Sequence, residues 1–414
     1  MRRDVMPSID GERLLASLRS LGKVGALEGG GVNRLALTDA DKAGRDWTVG
    51  RMRELGMDVT VDRIGNVVAV HPGAEDLPPV MTGSHIDTVR TGGLYDGAYG
   101  VLAGLEVVAT LRDAGIRPRR PVAVAFFTNE EGARFQPDML GSLVYVGGLA
   151  PEQAWAVADG DGRTVGDELD RIGYRGSAPV GMPRVDHFVE LHIEQGPVLD
   201  RRGIPIGVVE GVQGISWTEF TFEGVSNHAG TTPMDLRRDA GFVAARLSIF
   251  VHDLALRFGA RQIATVGSLR LAPDLINVIP NRAVVTVDLR NTDAGDLTRA
   301  ESEVHAFAMQ AALDQGVSCR HRSLARFDPV AFDGSVVDLI AGEAERLGVA
   351  SVRMPSGAGH DAQMLARICP AGMIFVPSIG GLSHNVLEDT APADIVRGAQ
   401  LLLQVLLKLA DRPS

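Results

Sequence analysis

Five short segments place histidine, aspartate and glutamate where hydrolytic chemistry could use them. Val80-Met81-Thr82-Gly83-Ser84-His85-Ile86-Asp87-Thr88 reads as an apolar strand ending in His-x-Asp. The period of two puts His85 and Asp87 on one side, so the Asp87 carboxylate is expected to orient the His85 imidazole as the outer partner of a metal-bound histidine does. Gly92-Gly93-Leu94-Tyr95-Asp96-Gly97 then offers an aspartate in a glycine-lined turn before a helix, where Asp96 could be a ligand or simply an N-cap. Ala123 to Phe127 is an apolar run that delivers Thr128-Asn129-Glu130-Glu131 at its carboxyl end, the edge where open α/β sheets place ligands. Two adjacent carboxylates repel unless a cation divides their duties. One ligand and one base is therefore the chemical reading, and an exposed acidic loop is the bland one. His192 follows the strand Phe188-Val189-Glu190-Leu191, and His384 lies in the loop Gly380-Gly381-Leu382-Ser383-His384-Asn385. Either histidine taken alone could be structural.

Joint occurrence is what points to a metal centre. Three histidines, one aspartate and a Glu-Glu pair fall at strand ends or in glycine-rich loops of one predicted domain. Mixed imidazole and carboxylate donors suit Zn, Mn, Co or Ni, and a carboxylate bridging two ions is a recurrent plan among two-metal hydrolases.

The elements that must position these groups are those of an α/β domain with a mostly parallel sheet. Arg63 to His71, Val80 to Ser84, Val122 to Thr128 and His187 to His192 are predicted strands, and Tyr99 to Ala114 is a predicted helix. From about Gly211 the texture changes. An alternating strand at Ser216 to Glu223 precedes a helix at Asp239 to Phe258, strands at Ile263 to Leu271 and Arg282 to Leu289, and a helix at Thr298 to Asp314. After about Pro329 the α/β texture returns, with helices at Gly334 to Leu347, His360 to Ala366 and Ala391 to Leu409 and a strand at Met373 to Val376. The expected organisation is thus a catalytic domain of residues 1–210 and 329–414, interrupted by an inserted α+β unit at 211–328.

Composition narrows the partners. The 414 residues are 45% hydrophobic and 22% charged with a formal charge of −11, and mean hydropathy is +0.07. Scattered basic residues on an acidic chain argue against a nucleic-acid surface and a polybasic membrane patch. No apolar run reaches the length of a membrane span, and the N-terminus has no apolar signal segment. Two cysteines, Cys319 and Cys369, cannot build a disulfide framework, so a cytoplasmic protein is expected.

The segments Gly83-Ser84-His85-Ile86-Asp87-Thr88, Gly92 to Gly97, Thr128-Asn129-Glu130-Glu131-Gly132-Ala133-Arg134-Phe135, Leu191-His192-Ile193-Glu194-Gln195-Gly196 and Ser383-His384-Asn385 resemble the hydantoinase/carbamoylase branch of the aminoacylase-like metallopeptidases. The resemblance spans nearly the whole chain. It implies a two-metal amidohydrolase cleaving a ureido C–N bond, with Asp96 bridging, His85 and His192 serving separate ions, and Glu131 and His384 completing the sites. Glu130 would be the general base. It also implies substrate-binding roles in the inserted lid. There His228, in Ser226-Asn227-His228-Ala229-Gly230-Thr231-Thr232-Pro233, would meet the oxyanion, while Asn277 and Arg290 would hold the substrate carboxylate. From composition alone His228 and Arg290 would be surface residues. Gln195 and the loop Ser356-Gly357-Ala358-Gly359-His360-Asp361 match further pocket elements, so Gly359 and His360 are counted with the substrate-binding set, although Asp361 could equally cap a helix. A homodimer is implied, with His228 acting within its own subunit or across to the partner.

The resulting expectation is hydrolysis of an N-carbamoyl-L-amino acid, or N-carbamoyl-β-alanine, to amino acid, carbon dioxide and ammonia. Metal coordination would lower the pKa of water toward about 7. Allantoate is the alternative substrate, favoured by the stretch Asn227 to Pro233, whereas Leu191 to Pro197 looks more like the carbamoylases. A dipeptidase or aminoacylase, and a non-catalytic binding module that keeps the scaffold, are the remaining readings.

Overall fold

The computed structural model describes residues 7–412 and divides the chain into two compact units. One comprises residues 1–210 and 332–414, the other 211–331.

The first unit is α/β. Its strands are β1 (Asp58–Val61), β2 (Val67–His71), β3 (Val80–His85), β4 (Val122–Phe127), β5 (His187–Ile193), β6 (Ile206–Val212), β12 (Ser351–Ser356) and β13 (Ala371–Val376). They lie in the order β1-β2-β4-β3-β5-β13-β6, and β12 also pairs with β6. The central strands β4, β3, β5 and β13 run parallel, while β2 and β6 join them antiparallel from either flank. Every residue of β3, β4 and β13 is buried. β4 and β13 are unbroken apolar runs, as a parallel sheet covered on both faces requires. The helices Ala98–Asp113 and Pro392–Ala410 pack on these strands and on each other, which is why both are buried along most of their length.

The expected strand from Arg63 is shorter than its apolar pattern suggested. Residues before Val67 form a turn in which the Asp62 carboxylate accepts the main-chain N–H groups of Ile64 and Asn66, removing those donors from any ladder.

The second unit is α+β. Strands β7 (Gly214–Glu223), β8 (Ile263–Ala272), β9 (Arg282–Asn291) and β10 (Ser318–Phe327) form an antiparallel sheet in the order β10-β7-β9-β8. Phe220, Phe222, Val285 and Val287 project from it against Leu247 and Val304 of the helices Ala240–Phe258 and Ala294–Asp314. Along the first of these helices Phe242, Ile249 and Leu256 recur every seven residues and stay 50%, 64% and 70% exposed. The short strand β11 (Val330–Ala331) pairs antiparallel with the end of β6, Val330 opposite Val212 and Ala331 opposite Gly211. Among the described residues no helix is long and apolar enough to cross a membrane.

Candidate active site

Strands β4, β3 and β5 are parallel neighbours, so their carboxyl ends share one sheet edge. His85 is the last residue of β3, Glu130 and Glu131 follow β4, and His192 is the penultimate residue of β5. Asp96 comes from the loop ahead of the helix Ala98–Asp113, and His384 from the loop after β13. The fold therefore converges all six side chains, from His85 to His384.

Asp96 is the hinge of the arrangement. Its Oδ1 lies 3.2 Å from His192 Nε2 and 3.6 Å from His85 Nε2, and its Oδ2 lies 3.3 Å from His384 Nε2. Glu131 Oε2 is 3.1 Å from His384 Nε2, and Glu130 Oε2 is 3.3 Å from His85 Nε2. Among the described residues three groups have ligand atoms close enough to hold one ion, and two of them share Asp96, His85 with Asp96 and His192, and Asp96 with Glu131 and His384; the third is Glu190 with His192 and His360. This grouping differs from the expected placement of His85 and His192 on separate ions. Both come from neighbouring strands of one sheet, so their rings arrive on the same side of Asp96.

A second difference concerns Asp87. His85 Nδ1 is bonded to the Asp87 main-chain oxygen at 2.9 Å, and the Asp87 carboxylate instead accepts the N–H groups of Glu130 and Glu131, at 3.3 and 3.4 Å. Strand β3 ends at His85, so the two-residue period that would have aimed the carboxylate at the ring no longer applies. Asp87 still fixes the ring and also ties the Glu-Glu segment to it. Nor is Asp96 an N-cap. Gly97 occupies that position with a φ of 62° and no side-chain cap, and a Cβ there would fall 2.4 Å from the His85 ring. Glycine is required by both conformation and space. Asp361 likewise does not cap its helix, because His360 holds the cap position.

The electrostatics call for cations. The cleft, about 120 Å³, is lined by Asp96, Glu130, Glu131 and Asp138 with four histidines, His85, His192, His360 and His384, and among the described residues by no lysine or arginine. Glu131 Oε1 is buried without a hydrogen-bond partner, an arrangement that costs free energy unless an ion completes it. Burial opposes the charged imidazole of His85, but the carboxylates of Glu130, Asp96 and Asp87 outweigh it and hold its pKa well above the usual value. Hydrogen bonds to Asp96 and Glu131 push His384 up to about 10. Asp96, despite burial, is held well below the usual carboxylate range by its bonds to His192, His384 and His85. The carboxylates that favour a charged imidazole here would equally favour divalent ions, and these donors fit such ions. Glu130 differs. Burial, and then the charges of Asp361, Glu131 and Asp96, raise its carboxyl well above the ordinary range.

The substrate-binding candidates divide between the two units. In the first, Gln195 donates to Asp96 Oδ2 at 3.0 Å, and Gly359 and His360 line the cleft. His360 is buried, bonded to Ser356 Oγ at 3.0 Å and packed on His192 with ring centroids 4.6 Å apart. Burial and the neighbouring His192 lower its pKa well below the usual value, so the ring is neutral. In the second unit, His228 and Asn277 come from paired loops, with Ala229 N–H donating to the Asn277 main-chain oxygen at 3.0 Å and His228 bridging to Val278. Both are exposed. Arg290, on β9, bonds Asp288 two residues earlier on the same face at 3.0 Å.

Sequence reasoning missed Glu388 and Ser383. Glu388 accepts from Tyr95 N, Asp96 N and Ser383 Oγ. Its one sequence signal is a carboxylate four residues after a candidate ligand histidine.

Comparison with known proteins is consistent across three measures. The family model described as peptidase family M20/M25/M40 matches residues 81–408. An N-carbamoyl-L-amino-acid amidohydrolase of Rhizobium meliloti is 41% identical over 404 residues, 97% of this chain and 97% of that protein. A ureidoglycolate hydrolase of Oryza sativa subsp. japonica is 36% identical over 390 residues, 92% of this chain and 80% of that protein. Among solved structures, an amidase of the hydantoinase/carbamoylase family from Burkholderia multivorans superposes with a TM-score of 0.96 at 44% identity, covering 99% of this chain and 100% of that one.

Proposed function

The chain belongs to the M20/M25/M40 peptidase family, in its hydantoinase/carbamoylase branch, and is a hydrolase of amide C–N bonds; on that premise we propose that it removes the carbamoyl group from an N-carbamoyl-L-amino acid or N-carbamoyl-β-alanine, with two divalent ions. The observation that carries the two-ion reading is Asp96, whose oxygens are shared between His85 with His192 on one side and His384, beside Glu131, on the other. The ions, Zn, Mn, Co or Ni, would when bound acidify the attacking water and polarise the ureido carbonyl.

The chain's own residues supply the rest. Glu130 takes the proton of the attacking water and returns it to the leaving amine nitrogen, a task for which a raised carboxyl pKa is suited. The C–N bond breaks to give the amino acid and carbamic acid, which decomposes to carbon dioxide and ammonia. Arg290 and Asn277 hold the substrate carboxylate, and Arg is the side chain for that duty because its planar fork matches a carboxylate and its charge is permanent. His228 donates to the developing oxyanion, where one such donor is worth about 3 kcal/mol of barrier. Gln195 holds Asp96, and Gly359 and His360 form the cleft wall.

The protein acts as a homodimer in this reading, and the exposed heptad stripe Phe242-Ile249-Leu256 on the second unit supports an apolar partner surface. Allantoate hydrolysis is the second reading, and the 36% identical ureidoglycolate hydrolase favours including ureido acids generally. A panel of N-carbamoyl-L-amino acids, N-carbamoyl-β-alanine, allantoate and ureidoglycolate, assayed for ammonia with each metal, tests the assignment. Turnover confined to allantoate or ureidoglycolate would overturn the carbamoyl-amino-acid reading.

A further inference from the structure

Glu388 is 5% exposed and sits directly behind the ligand set without being one of the ligands. Its Oε1 accepts the main-chain N–H groups of Tyr95 at 3.3 Å and Asp96 at 3.2 Å. Its Oε2 accepts the Ser383 hydroxyl at 2.9 Å. One carboxylate therefore grips both the loop that presents Asp96 and the loop that presents His384, although Asp96 and Glu388 are 292 residues apart in the chain.

The local backbone is shaped for this. The Glu388 N–H donates to the Asn385 main-chain oxygen, and Leu387 N–H donates to the Asn385 side chain, so residues 385–388 turn back beneath His384. His384 itself adopts a left-handed φ of 53°, a conformation that costs a non-glycine residue free energy and needs its surroundings to hold it. Opposite, a Cβ on Gly93 would lie 2.1 Å from Glu388 Oε1, so the 92–97 loop rests against this carboxylate with no room for a side chain. Gln195 Nε2 closes the network, donating to Asp96 Oδ2 at 3.0 Å and to Ser383 Oγ at 3.2 Å. The bonds gather on the Oδ2 side of Asp96. His85 and His192, on the Oδ1 side, bond through Nδ1 to the main-chain oxygens of Asp87 and Ile193, and His192 meets the 92–97 loop through the Gly97 N–H and Asp96, not through a bond to Glu388.

We propose that Glu388 is a positioning residue that latches Asp96 and His384 together through Ser383, so that the ion held by Asp96, Glu131 and His384 depends on it while the ion held by His85, Asp96 and His192 does not. This rests on the two-ion reading above. Carboxylates and other outer partners that orient ligands typically change metal affinity by about 10- to 100-fold when removed, and the asymmetry between the two ions is the distinguishing mark.

The test is ion content after gel filtration and Mn(II) titration calorimetry on the whole chain. The unaltered protein should bind two ions. Glu388→Ala should keep one and bind the other about 100-fold more weakly, the same ion that His384→Ala loses. Glu388→Gln, whose amide oxygen can accept the two N–H groups and whose NH2 can reach Ser383, should restore both. Ser383→Ala should weaken the same ion about 10-fold, and it carries the test if Glu388→Ala fails to fold by circular dichroism. Two ions at unaltered affinity in the Ala variants, or equal loss of both ions in Glu388→Ala and Glu388→Gln, would overturn the latch. Failure of the unaltered protein to bind a second ion would instead remove the two-ion reading, and the latch with it.

Discussion

The two groups of candidate site residues are built in opposite ways. Around Asp96 the side chains are mostly buried, mutually bonded and restrained from behind by Asp87, Gln195, Ser383 and Glu388. His228 and Asn277 are exposed and held only by local loop bonds, and Arg290 is paired with a neighbour on its own strand. The contrast teaches a division of labour. A set that must place several ligand atoms within a fraction of an ångström needs a stiff surround. Groups that meet a substrate from solvent need reach, and substrate contacts can supply their final order.

That division can be broken by experiment. The largest effect is expected at the centre. Glu130→Gln should lower kcat by about a thousandfold or more while leaving ion content intact, and chelation with EDTA should abolish turnover reversibly; ammonia release by either sample at the normal rate would contradict the assigned chemistry. In the second unit, Arg290→Lys keeps the charge and loses the fork. It should raise KM about tenfold with kcat within a factor of about three, and an unchanged KM in steady-state assays would remove Arg290 from the carboxylate site. The mildest change for the centre is Ile249→Asp on the exposed stripe. Sedimentation should show self-association weakened by about tenfold or more with ion content untouched, and an unshifted profile would place any dimer contact elsewhere.

Much of this was legible in the sequence because fully buried strands announce themselves. β4 and β13 are unbroken apolar runs, and ligand-type residues directly after a buried strand can be placed on a sheet edge without knowing the topology. What could not be read depends on direction and long-range contact. Whether His85 and His192 share an ion depends on which side of Asp96 each ring reaches. Asp87 was assigned the right neighbour through the wrong group, because the strand ends at His85, two residues before Asp87. Glu388 carries only its spacing from His384 as a sequence signal, since its partners Tyr95 and Asp96 lie almost three hundred residues away. Strand β10, with Arg320, His321 and Arg322 in succession, shows no alternation because it is a sheet edge, and charge on an edge discourages pairing with other chains.

The paired crossings at β6 and β11 have a consequence for how such a protein could be assembled and taken apart. Phe332 N–H donates to the Glu210 main-chain oxygen at 3.0 Å, and beyond it Gly211 faces Ala331 across an antiparallel ladder. The whole α+β unit therefore leaves and re-enters the α/β unit as a hairpin does, through two adjacent strands. A tight turn of about two residues would be enough to join those strands, so the unit could be gained or deleted as one genetic cassette without re-registering the sheet that carries the ligands. The same adjacency puts the two ends of the excised unit side by side, the geometry that circular permutation requires.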